Sequence, residues 1–335
     1  MEKILTIVVP SYNTIRHIDN CLPTMVDERF IGDIEILLIN DGSTDETQKK
    51  LEQYSEKYPL SIRVINKENG GHGSVINRGI QEATGRYFKV VDGDDPVITE
   101  NLFKLVETLK GDNSDIVITP FYEEFVKKGE RKLCDVCNLE SGKQYKFDDI
   151  CQDISILSLH GINYKTSVLR ENNIRVQEKC FYEDKEYILY PIPYIETLAY
   201  YPDPVYIYRI GVPGQSISVE KVIKNRKMLE VITQNLCSFY EKIVLQGLST
   251  EKEEYISRAV CNVIKNMYGM FLKMPRNRDT MVMISEFDEK CKEWSPILYE
   301  KCEKDFAIRL IRKKNYLIYS CAYFAFKSKM KHRGF

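Results

Sequence analysis

The sequence predicts an α/β fold, with a mostly parallel sheet flanked by helices and a helical extension at the C-terminal end. Two observations support this prediction. Strand-like and helix-like patterns alternate through the first hundred residues at the spacing of right-handed βαβ units. After the glycine and proline residues at 211–214 the pattern becomes helical, which places a domain boundary near residue 215.

The predicted elements follow in order along the chain. Apolar, β-rich runs predict strands over 4–9, 34–39, 62–65 and 87–91. The first two runs are almost continuously apolar, as in a sheet covered on both faces. Helices are predicted over 15–25, 46–54, 74–82 and 99–109. A further strand is predicted over 115–119, a hairpin or loop over 120–145, and alternating helices and short strands over 146–210. Beyond the boundary, apolar residues recur at the spacing of an amphipathic helix, at Ile223, Met228, Val231, Asn235/Leu236, Phe239 and Ile243.

Length and composition exclude several classes of protein. The chain has 335 residues, 43% of them hydrophobic and 29% charged, which rules out collagen-like, disulfide-scaffold and largely disordered proteins. The net charge of −1 gives no overall attraction to nucleic acid, so no nucleic-acid partner is expected. Ten scattered cysteines, no signal-peptide pattern and no apolar run of ~18 residues lead us to expect a cytoplasmic protein.

Polar and acidic residues follow three of the predicted strands. These segments are Pro10-Ser11-Tyr12-Asn13, Asn40-Asp41-Gly42-Ser43-Thr44-Asp45 and Asp92-Gly93-Asp94-Asp95. Ligands of open α/β sheets bind beyond the carboxyl ends of the strands. Three carboxylates within four residues repel one another unless a cation neutralises them, and oxygen ligands select Mg²⁺ or Mn²⁺. Taken alone, the last segment fits a solvated turn equally well.

Three further positions carry weaker signals. Asp41 stands just after the second strand, where a carboxylate can accept a hydrogen bond from a nucleobase or a ribose, although the residues after it also suit a helix start. The loop 69–74 precedes a helix and could hold a diphosphate on its backbone N–H groups. Asp184 opens a predicted helix and is either a helix-start residue or a general base.

A zinc site is a separate alternative for four residues. Cys134 and Cys137 have the spacing of half a metal site, with Cys151 and His160 as distant partners. A single pair of this kind is weak evidence, because no second pair follows at zinc-finger spacing.

In order and spacing, the motifs resemble those of family 2 glycosyltransferases. The resemblance covers about residues 3–218 and rests on 8–13, 39–45, 68–71, 83–87, 92–95, 172–175, 181–184, 208–209 and 216–218. It implies a GT-A-like, Rossmann-type catalytic domain over 1–215. The nucleotide-sugar half would be about 1–112 and the acceptor half about 113–215, with a helical C-terminal region over 216–335. The implied reaction is the inverting transfer of a hexosyl or N-acetylhexosaminyl group from a UDP-sugar to a hydroxyl of a glycan or lipid-linked acceptor, assisted by Mg²⁺ or Mn²⁺.

The resemblance also implies roles for single residues. Asp184 would be the base, and Asp94 and Asp95 the metal ligands. Arg78 would replace an arginine that many relatives place two positions earlier, although two positions turn a side chain by ~200° on a helix. The donor would be bound by Pro10, Tyr12, Asn13, Asp41, Asn69, Gly71, Arg78, Asp92, Asp94 and Arg209.

Two other functions compete with this one. A nucleotidyltransferase that makes a sugar nucleotide would also use carboxylates on an α/β sheet. Such an enzyme should carry a basic, glycine-rich loop near the N-terminus, whereas residues 8–20 contain one arginine and no glycine. The other alternative is a non-catalytic subunit that binds sugar nucleotides.

The end of the chain is strongly basic. From Arg309 onward there are eight Lys and Arg residues and no Asp or Glu, and they flank the aromatic, apolar run 316–326. We expect this tail to lie on an anionic membrane surface, at the inner face of the membrane. The alternative is that the apolar run packs on the body of the protein. The sequence does not predict an oligomeric state.

Overall fold

The computed structural model describes residues 3–212, 219–275 and 277–313. The chain forms two compact units, Met1–Gly214 and Gln215–Phe335. The first is an α/β unit and the second contains only helices in its described part, so the predicted fold class is confirmed.

Eleven strands are described in the first unit. In chain order they are β1 (Lys3–Ser11), β2 (Ile34–Asp41), β3 (Ile62–Lys67), β4 (Gly85–Val90), β5 (Ile116–Ile118), β6 (Phe121–Phe125), β7 (Glu130–Cys134), β8 (Gln144–Lys146), β9 (Ile162–Lys165), β10 (Thr197–Tyr200) and β11 (Tyr206–Ile210). Eight of them form the main sheet in the order β3-β2-β1-β4-β9-β5-β10-β8. The first four are parallel, and so are β5 and β10, whereas β9 and β8 run antiparallel to their neighbours.

The helices of this unit connect the strands. They are α1 (Ile18–Cys21), α2 (Thr47–Lys57), α3 (His72–Glu82), α4 (Thr99–Gly111), α5 (Phe147–Ile150), α6 (Thr166–Glu171) and α7 (Asp184–Leu189). Short 3₁₀ turns cover Leu22–Met25, Leu159–Gly161 and Ile192–Tyr194. The first helix is shorter than predicted, because the chain tightens into a 3₁₀ turn where Pro23 lacks an N–H group.

The register of the parallel strands brings their polar ends to one edge of the sheet. Ser11 lies opposite Asn40, and Asp41 lies opposite Lys67. On the other side of β1, Val8 pairs with Val90, so the residues after β4 reach the same edge. All eight residues of β2 are buried, as its apolar sequence predicts.

A second, three-stranded sheet stands beside this edge. β11 pairs in parallel with β6, and β6 forms the predicted hairpin with β7. An isolated bridge between Val97 and Tyr206 joins the start of β11 to the segment after the acidic residues. The small sheet thereby carries Tyr206 and Arg209 toward those residues.

The second unit contains six helices in its described part. They are α8 (Val219–Lys224), α9 (Arg226–Leu245), α10 (Thr250–Phe271), α11 (Arg278–Trp294), α12 (Pro296–Cys302) and α13 (Phe306–Lys313). The predicted amphipathic helix is α9, and Leu236 and Ile243 of the predicted set are buried. Leu229, Ile232, Leu236 and Tyr240 face the interior, whereas Val231 is 40% exposed.

The last described helix packs on this helical unit. Ile308 is fully buried, and Arg312, although part of the basic end of the chain, has a side chain only 5% exposed. Arg312 forms ion pairs with Asp288 at 2.8 Å and with Glu303 at 2.9 Å. Within the described ranges, no helix has the length and apolar character needed to cross a membrane. The aromatic run 316–326 lies outside the described residues.

Candidate active site

The acidic residues after β4 form a tight turn. The backbone N–H of Asp95 donates to the carbonyl of Asp92 at 3.0 Å, which places the first and fourth residues side by side and puts Gly93 and Asp94 at the tip. The turn packs closely on β1, since a Cβ atom at Gly93 would lie 2.7 Å from the carbonyl oxygen of Pro10. Glycine at position 93 is therefore required by this close approach.

Asp95 is the buried member of the turn, with 1% of its surface exposed. Its carboxylate accepts hydrogen bonds from the hydroxyl of Tyr206 at 2.8 Å and from the backbone N–H of Arg209 at 2.9 Å. Burial, together with the neighbouring charges of Asp92 and Asp94, raises the pKa of Asp95 to about 8. The turn therefore concentrates negative charge that a cation would relieve.

Three side chains of this region can converge on one ion. Asp92, Asp95 and His160 each offer a ligand atom within 4.8 Å of the others. His160 lies on the turn Leu159–Gly161, with Ser158 Oγ 2.9 Å from its Nδ1 and the Tyr208 ring stacked at 4.3 Å. Burial lowers the pKa of His160 to about 4, so its ring is neutral near pH 7 and can act as a ligand. Two carboxylates and a neutral imidazole suit Mg²⁺ or Mn²⁺.

This group differs in membership from the predicted metal sites. Asp94 was paired with Asp95 as a metal ligand, but the turn brings Asp92 beside Asp95 and leaves Asp94 outside the group. In the zinc alternative, His160 was a partner of the cysteines. Among the described residues, no group with metal-ligand geometry includes Cys134 or Cys137.

The Asp41 side chain, at the end of β2, is hydrogen-bonded to the loop 69–74, called the glycine loop below. Its carboxylate accepts from the backbone N–H groups of Gly70 at 2.9 Å and Gly71 at 2.8 Å, and from Lys67 Nζ at 2.6 Å. Asn69 donates to the Asp41 carbonyl at 2.9 Å. The residue is almost fully buried, and its hydrogen bonds shape this loop; direct contact of Asp41 with uracil or ribose stays a prediction.

The residues after β1 hold the loop after β2. Asn13 adopts a left-handed conformation with φ of 54°. Its N–H donates to Ser43 Oγ at 3.0 Å, and its side-chain oxygen accepts from the Thr44 N–H at 2.9 Å. Tyr12 beside it is half exposed, and Pro10 lies opposite Ile39. The structure thus brings Pro10, Tyr12 and Asn13 together at this edge.

His72, the first residue of α3, connects the acidic turn to another segment. Its Nε2 lies 2.9 Å from Asp92 Oδ1, and its Nδ1 lies 2.6 Å from Glu183 Oε1. Burial opposes a charge on this ring, but the two carboxylates outweigh burial and raise the pKa of His72 well above its ordinary value. Burial likewise opposes ionisation of Asp92, but His72 outweighs it and the pKa of Asp92 is lowered.

Asp184 follows Glu183 directly and begins α7. Its side chain is 41% exposed, with Lys185 Nζ 3.4 Å away. α7 packs against the turn that carries His160, and the negative charge of Asp184 acts on His160 by opposing the fall of its pKa. Asp184 is therefore a solvent-accessible carboxylate at the start of a helix that packs against the His160 turn, and its role as the base stays a prediction.

Arg209 lies at the acidic turn, whereas Arg78 does not. Arg209 lies over the acidic turn, with its Nη1 3.5 Å from the Asp94 carbonyl and its Nε 3.5 Å from Glu124. Arg78 pairs with Glu82 at 2.8 Å, toward the carboxyl end of α3. Position 78 is ~9 Å along the helix from its first residue, so Arg78 does not join the residues at the site edge.

A fully buried lysine lies on β4, three residues before the acidic turn. Lys89 Nζ donates to the His160 carbonyl at 2.9 Å and lies 5.7 Å from the centre of the Tyr206 ring. Burial lowers the pKa of Lys89 to about 7. Four residues of this region were not predicted as site residues from the sequence: His72, Glu183, Lys89 and Tyr206. One signal was available, since His72 stands inside the glycine loop at a predicted helix start.

Comparisons with known proteins agree with this geometry. Residues 6–172 match the sequence model "Glycosyl transferase family 2". The chain is 29% identical over 217 residues to "Uncharacterized glycosyltransferase EpsJ" of Bacillus subtilis, covering 62% of each chain. It is 23% identical to the "Teichoic acid poly(glycerol phosphate) polymerase" of Staphylococcus epidermidis, with 84% of this chain aligned to 39% of that protein. The chain therefore spans less than two thirds of the length of either relative.

One solved structure has the same overall fold. It is that of S. aureus TarS residues 1–349 in complex with UDP-GlcNAc, which superposes with a TM-score of 0.64 at 18% sequence identity. The superposition covers 96% of this chain and 92% of that one. It supports the predicted GT-A-like architecture.

Proposed function

The chain belongs to glycosyl transferase family 2, and on this premise we propose that it transfers a sugar from a UDP-sugar to a hydroxyl group of a glycan or lipid-linked acceptor. The observation that carries the proposal is the meeting of five elements at one sheet edge. These are the loops after β1 and β2, the glycine loop, the acidic turn and the start of α7. That TarS has been crystallised with UDP-GlcNAc supports a UDP-linked donor.

We place the nucleotide against the loops after β1 and β2. Tyr12 offers an exposed ring for stacking, and Asn13 lies beside it. Asp41 contributes indirectly, by holding the N–H groups of Gly70 and Gly71 in a fixed loop with Asn69. We assign the ribose and diphosphate to the acidic turn, with Asp92 and Asp94 on the donor side and the Arg209 guanidinium above them.

The donor set fits a divalent cation, which we propose to be Mg²⁺ or Mn²⁺ held by Asp92, Asp95 and His160. When bound, such an ion would supply Lewis-acid stabilisation of the charge on the departing diphosphate. The chain itself fixes the ligands, because Tyr206 and the Arg209 N–H hold the Asp95 carboxylate and Ser158 holds the His160 ring. We expect excess chelator to abolish turnover. His160→Ala and Asp95→Asn should each weaken Mn²⁺ binding more than Asp94→Ala does, as measured by titration calorimetry.

Asp184 is proposed as the base. Its carboxylate would take the proton of the acceptor hydroxyl while that oxygen attacks the anomeric carbon from the face opposite to the leaving diphosphate. A single displacement of this kind inverts the anomeric configuration. General-base assistance contributes about 10²–10⁴-fold to the rate.

The test is UDP release from a panel of UDP-sugars, with and without candidate acceptors. Asp184→Asn should lower kcat by about 10²-fold or more while leaving UDP affinity nearly unchanged. Asp149→Asn is the matched control, because Asp149 is an exposed aspartate in the first turn of α5. Full turnover by Asp184→Asn would contradict the assignment. UDP binding without release from any donor would favour a non-catalytic binding subunit, and pyrophosphate release from UTP and a sugar phosphate would favour a nucleotidyltransferase.

The basic tail is proposed to bind an anionic membrane surface, with the protein peripheral on the inner face. The support is the excess of Lys and Arg around the run 316–326. Arg312 is no longer part of that argument, because it is buried in ion pairs. The chain should therefore be truncated after Lys313, which keeps α13. Salt-sensitive sedimentation with phosphatidylglycerol vesicles should be lost on truncation, and equal sedimentation of both chains would contradict the proposal.

A further inference from the structure

We propose that His72 is a positioning residue that links the donor side of the site to the segment carrying the base. This inference rests on the proposed function and adds a residue to it. His72 reaches Asp92 with one ring nitrogen and Glu183 with the other, at 2.9 and 2.6 Å. A single rigid ring therefore joins the acidic turn to the residue that immediately precedes Asp184.

Glu183 depends on this contact. The residue is 4% exposed, and its second carboxylate oxygen, Oε2, is buried without a hydrogen-bond partner. Within the described part of the chain, His72 is the one side chain that hydrogen-bonds or ion-pairs with Glu183. Removing the imidazole would leave a buried carboxylate unpaired directly beside Asp184. Such a group is costly, so Glu183 would have to move.

The neighbouring contacts show that the segment before Asp184 is fitted to the start of α3. Lys179 N–H donates to the Gly70 carbonyl at 2.7 Å, and the Asn77 side chain donates to the Val176 carbonyl at 2.9 Å. A Cβ atom at Gly73 would lie 2.1 Å from the Gln177 carbonyl oxygen. These contacts fix the backbone of 176–180, whereas His72 fixes the position at which the chain turns into α7.

The position of His72 couples the acidic turn to the start of α7. A donor held at Asp92 is separated by one histidine side chain from the residue before the proposed base. His72 therefore sets the position of Asp184 relative to the acidic turn without contacting either substrate itself. Replacing it should affect the catalytic step and donor binding together, since Glu183 loses its side-chain partner and Asp92 is left with the longer contact to the Tyr206 hydroxyl, at 3.3 Å.

The experiment compares six variants with the wild-type chain, including Glu183→Gln alone. The readouts are UDP binding by calorimetry, and kcat and KM for the UDP-sugar that gives the highest rate of UDP release. His72→Leu keeps most of the bulk but no hydrogen bond, and should lower kcat by about 10- to 100-fold and weaken UDP binding. His72→Gln retains a donor for one carboxylate and should recover part of kcat. Gln81→Ala, on the exposed side of the same helix, is the control and should behave as wild type.

Glu183→Gln combined with His72→Leu gives the sharper result. Because the two residues act as a unit, the double variant should lose no more of kcat than the worse single variant. A purely structural histidine would lower thermal stability while leaving kcat per folded molecule unchanged, and this outcome would overturn the inference. So would a double variant whose losses multiply.

Asp184→Asn, measured in the same series, separates this inference from the proposed function. If Asp184→Asn is inactive while His72→Leu turns over normally, the role of His72 is wrong and the base assignment stands. If Asp184→Asn is fully active, the base assignment fails. A loss of UDP binding in His72→Leu would then still support its link to Asp92, and unchanged binding would overturn that link as well.

Discussion

Replacing Lys89 by methionine should make the first unit more stable, although it removes a hydrogen bond. Lys89 is fully buried, and burial lowers its pKa from 10.5 to about 7. For a basic group whose pKa is lowered on folding, the unfolded chain binds more protons between these two values. Stability therefore rises with pH across that window. At about pH 7 the shift amounts to roughly 4 kcal/mol of lost stability.

Methionine is similar in length and carries no charge, so most of this cost should disappear. The hydrogen bond to the His160 carbonyl is lost at the same time, and an unpaired buried carbonyl costs about 1–3 kcal/mol. The expected net effect of Lys89→Met is a gain of roughly 2 kcal/mol near pH 7. At about pH 10 the amine is neutral in the folded chain but still mostly charged in the unfolded one, so the remaining cost falls to about 1 kcal/mol. The loss of the hydrogen bond offsets a cost of that size, so the gain should disappear there.

The assay must report on the first unit. The single tryptophan, Trp294, lies in the helical unit, so its fluorescence does not follow the sheet. Hydrogen exchange of the β4 amides, measured at both pH values, gives the free energy of opening at the right place. Lys110→Met, at an exposed ion pair with Asp33, is the control and should show no gain. A less stable Lys89→Met protein at neutral pH would refute the reasoning, because the lysine would then be held by more than one hydrogen bond.

Three further outcomes are expected. Gly73→Ala should lower both stability and kcat, because the added Cβ would lie 2.1 Å from the Gln177 carbonyl oxygen. This clash should outweigh the normal preference of a helix for alanine, and thermal unfolding and UDP release measure the two effects. Arg312→Leu should destabilise the helical unit by about 1.5–3 kcal/mol, followed by Trp294 fluorescence in urea, because the partly exposed Asp288 and Glu303 carboxylates lose their hydrogen bonds to the guanidinium. The same fluorescence should show the helical unit losing stability as pH falls below about 4.5. Burial opposes ionisation of Glu253, but Lys301 and Tyr240 outweigh burial and lower the pKa of Glu253. The stability that the ionised Glu253 contributes is therefore present above that pH and lost in acid, and Glu253→Gln should flatten this pH dependence.

The sequence predicted the parts of the fold that rest on local pattern. The apolar runs of β1 and β2, the helix starts and the acidic turn after β4 are encoded within a few residues each, and they appear close to where they were predicted. The face of α9 was predicted in part. Leu236 and Ile243 are buried, whereas Val231 is exposed and Leu229 and Ile232 are buried in addition, because two apolar sets recur at nearly helical spacing. Only packing against the neighbouring helices decides between them.

The site was predicted less well, because its contacts join residues that are distant in sequence. His72 and Glu183 are separated by 111 positions, and Tyr206 lies 111 positions after Asp95. Neither pairing has a local signature. The group of three possible ligands differs from the predicted pair for a related reason, since adjacent carboxylates in a sequence point in different directions once a turn forms. A donor-binding role for Arg78 was predicted from the family resemblance alone, and in the structure Arg78 forms an ion pair with Glu82.

The order of the strands has a consequence for how the protein is made. β3, β2, β1 and β4 all come from the first 90 residues and can pair as soon as that part of the chain has left the ribosome. β9 then inserts between β4 and β5, and β11 pairs with β6 from a position 85 residues later in the chain. Pairings over such separations form late. We therefore expect a nascent chain of about 160 residues to hold the nucleotide loops in place while Asp95 still lacks Tyr206 and Arg209. Ribosome-bound fragments of increasing length should accordingly acquire protease resistance in β1–β4 before the acidic turn is ordered.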